Sequence, residues 1–250
     1  MTVFPNPSLQ LYTVRNALES DFAGTMRRIA EIGYRQVEPF GFVQVADKLE
    51  VAFSETGLSA PSTHVGLLGM DDQRPAFEAA VRLGIGLVID PHVDRTLWTT
   101  ADDIAVTADK LNAAARLAAE FGLTVGYHNH HFELENRIDG RPALEVLVDA
   151  LDPAVVLEVD TYWAHAGGVD PVDLLQRLGR RVVAIHIKDG DGSLDPKAQV
   201  AVGSGSLPIQ AIIDAVPELA IGVVELDDFD GDVFDAVEDS YRFLTGKATS

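Results

Sequence analysis

The chain has 250 residues, of which 47% are hydrophobic and 23% are charged, and it contains no cysteine. Its 39 acidic and 19 basic side chains give a formal net charge of −20 at pH 7. This composition excludes an intrinsically disordered chain, a disulfide framework and thiolate chemistry. Because the acidic excess repels nucleic acid and anionic membranes, we expect a small-molecule partner, with no nucleic acid and no membrane.

The same sequence indicates where the protein works and how many domains it has. No apolar run approaches the roughly 20 residues of a membrane span, and residues 1–10 lack the basic and apolar regions of a secretory signal. We therefore expect a cytoplasmic protein. No Pro-, Ser- or Gly-rich linker interrupts the chain, which predicts a single domain over residues 1–250.

A repeated junction organises the chain: an amphipathic segment ends at a glycine and an apolar segment follows at once. Glycine after a helix adopts the left-handed conformation that closes the last turn, so each junction predicts a helix followed by a strand. The junction glycines are Gly33, Gly57, Gly84, Gly122 and Gly179.

The pattern predicts eight strands and eight helices in alternation, or about 31 residues per unit, which is typical of an α/β (β/α)8 TIM barrel. An open doubly wound sheet is the alternative, but Val14-Arg15-Asn16-Ala17 after the first strand has no dinucleotide-binding glycines. The predicted strands are 9–14, 36–40, 59–65, 87–93, 124–130, 155–162, 182–188 and 221–227. The predicted helices are 21–32, 44–56, 72–83, 102–122, 141–150, 170–178, 207–216 and 232–245.

Ionisable side chains lie near the carboxyl ends of these strands, where buried parallel strands are normally apolar. A spacing of two residues places both members of a pair on one face of a strand. Since strands 5 to 8 are neighbours in a barrel, we expect their pairs to converge at the barrel mouth. For Asp227 alone, the simpler interpretation is that it solvates a loop. The pairs are His128/His130, Glu158/Asp160, His186/Lys188 and Glu225/Asp227. Strands 2 to 4 add Glu38, His64, Asp90 and His92.

This concentration of imidazoles and carboxylates predicts a metal site. Buried and uncompensated, such groups cost several kcal/mol each by order of magnitude, and a divalent cation would compensate them together. Because the chain has no cysteine, the ion must accept oxygen and imidazole ligands. We expect one ion of Mn²⁺, Co²⁺, Zn²⁺, Fe²⁺ or Mg²⁺, with Mn²⁺ the first choice.

Two further features have alternative interpretations. Aromatic residues would form apolar walls for a sugar ring or pack in the core; they are Tyr12, Phe40, Trp98, Tyr162 and Trp163. The segment Gly203-Ser204-Gly205-Ser206 would present backbone N–H groups to an anion or a sugar hydroxyl, or form a flexible loop with Ser206 as a helix cap.

Over essentially its whole length the chain resembles the sugar phosphate isomerase/epimerase superfamily of xylose isomerase-like TIM barrels. The resemblance rests on Leu-Gln-Leu-Tyr-Thr-Val at 9–14, Gly-Tyr-His-Asn-His-His-Phe-Glu at 126–133, Leu-Glu-Val-Asp-Thr-Tyr-Trp at 157–163 and Ile-His-Ile-Lys-Asp at 185–189. Members similar to this branch include keto-sugar epimerases, inosose dehydratases and 3-keto-glycoside lyases.

The resemblance implies one divalent ion with Asp160, His186 and Glu225 as ligands. On strand 5, where the family usually has glutamate, this chain has His128, so His128 is the fourth expected ligand, with His130 and Glu133 as alternatives. The superfamily also contains apurinic endonucleases, but their histidine three residues after the strand 6 aspartate is Trp163 here. The resemblance further implies a homo-oligomer or a partner subunit.

We therefore predict a metal-dependent carbohydrate isomerase or epimerase that abstracts a proton next to a carbonyl and forms a metal-stabilised enediolate. A dehydratase or β-eliminating lyase using the same site is the alternative; a metal-dependent hydrolase and a non-catalytic sugar-binding subunit are less favoured. The predicted acid/base residues are Glu133, Glu158, His130 and Lys188. The predicted substrate contacts are Glu38, His64, Tyr12 and Trp163.

Overall fold

The computed structural model describes residues 4–216 and 220–246. Eight parallel strands form one sheet: β1 Ser8–Gln10, β2 Gln36–Glu38, β3 Ser62–His64, β4 Leu87–Asp90, β5 Thr124–His128, β6 Val156–Asp160, β7 Val182–Ile187 and β8 Ile221–Val224. Their order in the sheet is β2-β1-β8-β7-β6-β5-β4-β3. Backbone hydrogen bonds join the two edge strands, with the Val37 N–H donating to Ser59 O at 2.9 Å, so the barrel is nearly closed and the predicted fold is confirmed.

Helices surround the barrel, and all eight predicted helices are present with shifted ends. Three short helices were not predicted. They are Arg15–Ser20, Phe132–Glu135 and Thr161–Ala166, and each begins shortly after a strand end. The helices are α1 Arg15–Ser20, α2 Phe22–Ile32, α3 Ala46–Thr56, α4 Arg74–Arg82, α5 Ala101–Ala119, α6 Phe132–Glu135, α7 Ala143–Ala150, α8 Thr161–Ala166, α9 Pro171–Leu178, α10 Ile209–Ala215 and α11 Val233–Thr245. In the described residues, none of them is long and apolar enough to cross a membrane.

The strands are shorter than predicted, and after β1 and β6 a polar side chain at the strand end starts the next element. The prediction of a strand over 9–14 is wrong beyond Gln10. The Gln10 side chain accepts a hydrogen bond from the Tyr12 N–H at 3.1 Å, and residues 11–14 form a 3-10 helix. Similarly, Asp160 accepts from the Trp163 N–H at 2.8 Å and caps α8, so β6 ends at Asp160 rather than at Tyr162.

All five junction glycines have a positive φ, but Gly33 and Gly179 lie outside the left-handed helical conformation that was predicted. Gly57 closes α3 with φ of +72°, a left-handed conformation that other residues rarely adopt. At Gly33 the φ is +126°, and a Cβ there would lie 2.7 Å from the ring of Tyr241 on α11. Gly33 is therefore required both by its backbone and by the close packing of α11.

Alternate residues of each strand point into the barrel, and their side chains form an apolar part and a polar part of the interior. A small apolar cluster of Leu87, Ile89 and Ala184 fills one part of it. The other part, toward the carboxyl ends of the strands, contains the buried imidazoles and carboxylates described next. The larger hydrophobic core lies between the strands and the helices and includes outward-facing Leu9 and Val159.

Candidate metal centre and substrate cavity

Four side chains form what we term the inner group: His64, His128 and His186 at or near the ends of β3, β5 and β7, and Glu158 within β6. The Glu158 Oε2 atom lies 2.5 Å from His64 Nε2, 3.0 Å from His128 Nδ1 and 3.1 Å from His186 Nε2. All four residues are buried, and their potential ligand atoms lie within 4.8 Å of one another. This is a donor set for a divalent ion.

Glu38 lies against the inner group and is fully buried. Its Oε1 atom is 2.9 Å from His186 Nε2 and 3.1 Å from His64 Nε2, and it accepts a hydrogen bond from Gln10 Nε2 at 2.9 Å. The Ser62 hydroxyl donates to the other carboxylate oxygen. Glu38 therefore contacts the same Nε2 atoms of His64 and His186 that face Glu158, and it is absent from the lining of the cavity described below.

Three carboxylates form the outer group, Asp160, Glu225 and Asp227, which surrounds the ammonium of Lys188. The Lys188 Nζ atom lies 2.9 Å from Asp160 Oδ2, 2.6 Å from Glu225 Oε2 and 2.7 Å from Asp227 Oδ2. His186 joins the two groups, because its Nδ1 is 2.7 Å from Glu225 Oε2 while its Nε2 faces the inner group. Asp160, His186 and Glu225 also lie close enough together to hold an ion.

The electrostatics differ between the two groups. Burial, reinforced by His186, lowers the pKa of His128 to about 3, so its imidazole is neutral at pH 7, as a metal ligand must be. Burial would raise the pKa of Glu225, but Lys188 and His186 outweigh it and hold that pKa well below its ordinary value. Burial raises the pKa of Asp160 to about 6, against the opposing effect of Lys188.

A cavity of about 360 Å³ opens above the inner group and reaches solvent. His64, His128 and His130 contribute to its lining together with Glu225 and Asp227. Among the described residues, no lysine or arginine lines it. The volume suits a sugar-sized molecule.

The predicted acid/base residues occupy different places. His130 lines the cavity, and its Nδ1 is buried without a hydrogen-bond partner. Glu133 is fully buried, does not line the cavity and has both oxygens occupied: it accepts from the Tyr127 hydroxyl at 2.7 Å and from the His130 N–H at 2.9 Å. The structure therefore brings His130, but not Glu133, to the cavity.

The predicted aromatic contacts also divide. Tyr12 is 39% exposed at the cavity and packs edge-on against Phe40, with ring centroids 5.3 Å apart. Trp163 is buried, lies 5.5 Å from the Lys188 ammonium and does not line the cavity. Trp98 and Tyr162 are fully buried core residues.

The glycine-rich segment 203–206 folds around the buried carboxylate of Asp189. Asp189 Oδ2 accepts from the N–H groups of Gly203 and Gly205 at 3.0 Å each. Those N–H groups are therefore used internally rather than presented to an anion. The alternative of Ser206 as a helix cap is also wrong, because α10 begins two residues after Leu207 and Ser206 bonds to Gly190 O instead.

Sequence reasoning missed two buried polar residues, Gln10 and Ser62. Both point into the barrel and orient Glu38. Ser62 lies two residues before His64, so the same period of two that identified the strand 5 to 8 pairs also marks a polar inner face on β3. Serine and glutamine at strand positions were the available signal.

Comparisons with known proteins give the family. A family model described as "Xylose isomerase-like TIM barrel" matches residues 26–246. An inosose dehydratase from Geobacillus kaustophilus is 25% identical over 236 residues, covering 81% of this chain and 75% of that protein. A sugar phosphate isomerase/epimerase structure from Parabacteroides distasonis has a TM-score of 0.80 at 24% identity, covering 98% of this chain and 95% of that one.

A third relative, the structure of the IolI protein with a bound zinc atom, has a TM-score of 0.73 at 17% identity, covering 98% of this chain and 99% of that one. At these identities the two structures demonstrate a shared fold. The family model extends over most of the chain, including β2 to β8 and every residue of the inner and outer groups. The chain therefore belongs to the xylose isomerase-like TIM barrel family.

Proposed function

We propose that the protein is a divalent-metal-dependent enzyme that removes a proton from the carbon next to the carbonyl of an uncharged polyhydroxy ketone. The observation that carries this proposal is the inner group of three imidazoles and a carboxylate beneath a sugar-sized cavity. These residues fit a divalent ion, since they offer three imidazoles and a carboxylate within 4.8 Å of one another and Glu158 Oε1 is buried without a hydrogen-bond partner. When bound, such an ion would polarise a substrate carbonyl and stabilise developing negative charge.

His130 is the residue we propose as the base. Its imidazole lines the cavity, and burial together with His128 and Lys188 lowers its pKa well below the ordinary value. A neutral imidazole in the cavity wall can accept a proton from a C–H group placed in the cavity. Glu133 would hold the His130 backbone through its 2.9 Å hydrogen bond rather than touch the substrate.

The cavity lining supports an uncharged substrate. No lysine or arginine among the described residues reaches it, whereas Glu225 and Asp227 contribute carboxylates to its wall. Phosphate recognition generally uses cationic side chains or backbone N–H groups, and the N–H groups of Gly203 and Gly205 are already bonded to Asp189. We therefore expect rejection of phosphorylated and carboxylated sugars, although one structural relative is described as a sugar phosphate isomerase/epimerase.

Two outcomes can follow proton removal. Loss of a hydroxyl from the next carbon gives dehydration, and the curated inosose dehydratase relative supports this outcome. Return of the proton to the opposite face gives epimerisation, and return to the neighbouring carbon gives isomerisation. We place dehydration of a cyclic polyhydroxy ketone first and epimerisation or isomerisation second.

The test is turnover in D₂O by metal-stripped protein repleted with Mn²⁺, using inosose, keto-sugars and 3-keto-glycosides as substrates. We expect metal-dependent deuterium incorporation next to the carbonyl, with loss of water in the product if the enzyme is a dehydratase. The phosphate ester of an accepted substrate is the matched control and should react poorly. Full turnover without metal would contradict the proposal, and solvent ¹⁸O in the product without C–H exchange would indicate a hydrolase.

A further inference from the structure

The barrel mouth offers two overlapping places for a cation. One is the inner group, which consists of His64, His128, Glu158 and His186, and the other consists of His186 with Asp160 and Glu225 of the outer group. The two places share His186, which presents Nε2 to the inner group and Nδ1 to Glu225. The sequence predicted an ion among His128, Asp160, His186 and Glu225, which straddles both.

We propose that the divalent ion binds in the inner group and that Lys188 is the permanent cation of the outer group. The proposal rests on the proposed function in one respect, namely that the protein uses a divalent ion. It assigns His64 and Glu158 as metal ligands and places Asp160 outside the ligand set. Glu225 becomes a positioning residue that acts through His186.

Occupancy of the outer group is the first argument. Lys188 Nζ lies within 2.9 Å of one oxygen from each of Asp160, Glu225 and Asp227. A divalent ion bound to the same oxygens would lie a few ångströms from the ammonium, and the two cations would repel strongly in a buried environment. Lys188 is 1% exposed and its ammonium lies 5.5 Å from the centre of the Trp163 ring, so the side chain is packed in this position.

The geometry of the inner group is the second argument. Tetrahedral zinc with ligand distances of about 2.0–2.1 Å has neighbouring ligand atoms about 3.3 Å apart. The distances from Glu158 Oε2 to the three imidazole nitrogens are 2.5, 3.0 and 3.1 Å. Small outward movements would therefore admit an ion. His64 and His128 also line the cavity, which leaves a side of the ion open to substrate.

The surroundings of His186 are the third argument. A metal-binding histidine usually donates its second ring N–H to a carboxylate, which fixes the ring and its tautomer. His186 Nδ1 lies 2.7 Å from Glu225 Oε2, so Glu225 can accept this hydrogen bond while Nε2 binds the ion. Glu158 Oε1 is buried without a hydrogen-bond partner, and an ion bound by this carboxylate would satisfy it. Asp160 Oδ2 also has no hydrogen bond, but it lies 2.9 Å from the Lys188 ammonium.

The first experiment titrates the metal-stripped full chain with Co²⁺, using calorimetry and visible absorption. We expect Glu158→Gln to weaken Co²⁺ binding by at least ~100-fold, and Asp160→Asn, a change near the ligands, by no more than ~10-fold. Lys188→Met should raise the stoichiometry from one ion to two, because the outer group becomes free. Asp109→Asn, on the exposed face of α5, is the control and should leave affinity unchanged.

The second measurement uses the wild-type protein, so it does not depend on the folding of variants. X-ray absorption spectroscopy of the Co²⁺ form should count three imidazole ligands. Two or fewer imidazoles, together with loss of binding in Asp160→Asn, would place the ion in the outer group and overturn this proposal while leaving the proposed function intact. No Co²⁺ or Mn²⁺ binding by the wild type would overturn both.

Discussion

The two parts of the barrel interior are both buried but are filled in different ways. Leu87, Ile89 and Ala184 pack by dispersion and hydrophobic burial, and each is at most 6% exposed. Glu158 and His186 are at most 1% exposed, yet they carry groups that must find partners. The apolar part stabilises the fold, whereas the polar part costs free energy unless its charges compensate one another or bind an ion.

The largest expected effect comes from Lys188→Met, which removes the cation from the outer group. Asp160 and Glu225 would remain buried without it, so we expect a loss of about 3–5 kcal/mol in the free energy of unfolding at pH 7. Lys188 holds the pKa of Glu225 low, and a lowered carboxyl pKa contributes stability above the ordinary value that is lost as the pH falls. The difference between variant and wild type should therefore shrink below about pH 4.5.

Urea denaturation in the presence of a chelator measures this difference, with exposed Lys197→Met as the control. A loss below about 1 kcal/mol for Lys188→Met would mean that the outer carboxylates do not need the ammonium, since exposed ion pairs contribute about that much. The polar part of the interior would then depend less on compensation of its charges than the structure indicates.

The second effect concerns the apolar part. Ile89→Ala should cost about 2–5 kcal/mol of stability, because the side chain is fully buried and leaves a cavity. Gly126 faces Ile89, and a Cβ there would lie 3.2 Å from its Cγ1, so this glycine is what accommodates the isoleucine. Co²⁺ affinity of the folded variant should equal that of the wild type. Val81→Ala, at a 50% exposed position, is the control; a changed metal affinity in Ile89→Ala would show that the two parts are coupled.

The third effect is a pH dependence caused by Glu133, which is buried but lies outside the cavity. Burial raises its pKa from 4.5 to about 8. Between these pH values the unfolded chain releases the proton and the folded chain keeps it, so stability falls with rising pH by at most about 1.4 kcal/mol per unit. Glu133→Gln, which resembles the protonated acid and can bond to Tyr127 and the His130 N–H, should flatten this decline.

Urea denaturation at pH 5 and pH 8 measures the change, with the exposed Glu135→Gln as the neighbouring control. We compare the free energy of unfolding of Glu133→Gln with that of the wild type at each pH. This difference should be more favourable to the variant at pH 8 than at pH 5, by on the order of 2–4 kcal/mol. Turnover should remain near the wild-type value. A loss of turnover of ~100-fold or more would instead support the acid/base role that the sequence predicted for Glu133.

The smallest effect concerns the rim of the cavity. Tyr12→Ala removes an exposed ring that packs edge-on against Phe40, and stacking of this kind contributes about 0.5–1.5 kcal/mol. We expect KM to rise about 5- to 10-fold with kcat nearly unchanged and stability to fall by about 0.5–1.5 kcal/mol, while Tyr12→Phe keeps the wild-type KM. A fall in kcat without a change in KM would place Tyr12 in the reaction rather than at the rim.

Much of the fold and part of the candidate site could be predicted from local patterns. The glycine junctions follow from backbone sterics, and Gly57 has the expected positive φ. The period of two on a strand put His128 and His130 at the same cavity, where their ring centroids lie 5.3 Å apart. Strand ends were harder, because Gln10 and Asp160 bond to the following backbone and terminate the strands early.

By itself the sequence determined the barrel and the ring of ionisable side chains at its mouth, since both depend on periodicity along the chain. Only the tertiary structure decided which of those side chains meet. A register shift between Leu157 and Glu158 accompanies the pairing of β6 with β7, and the long side chain of Lys188 reaches three carboxylates from different strands. Such partners depend on strand curvature and side-chain reach, which no local pattern encodes.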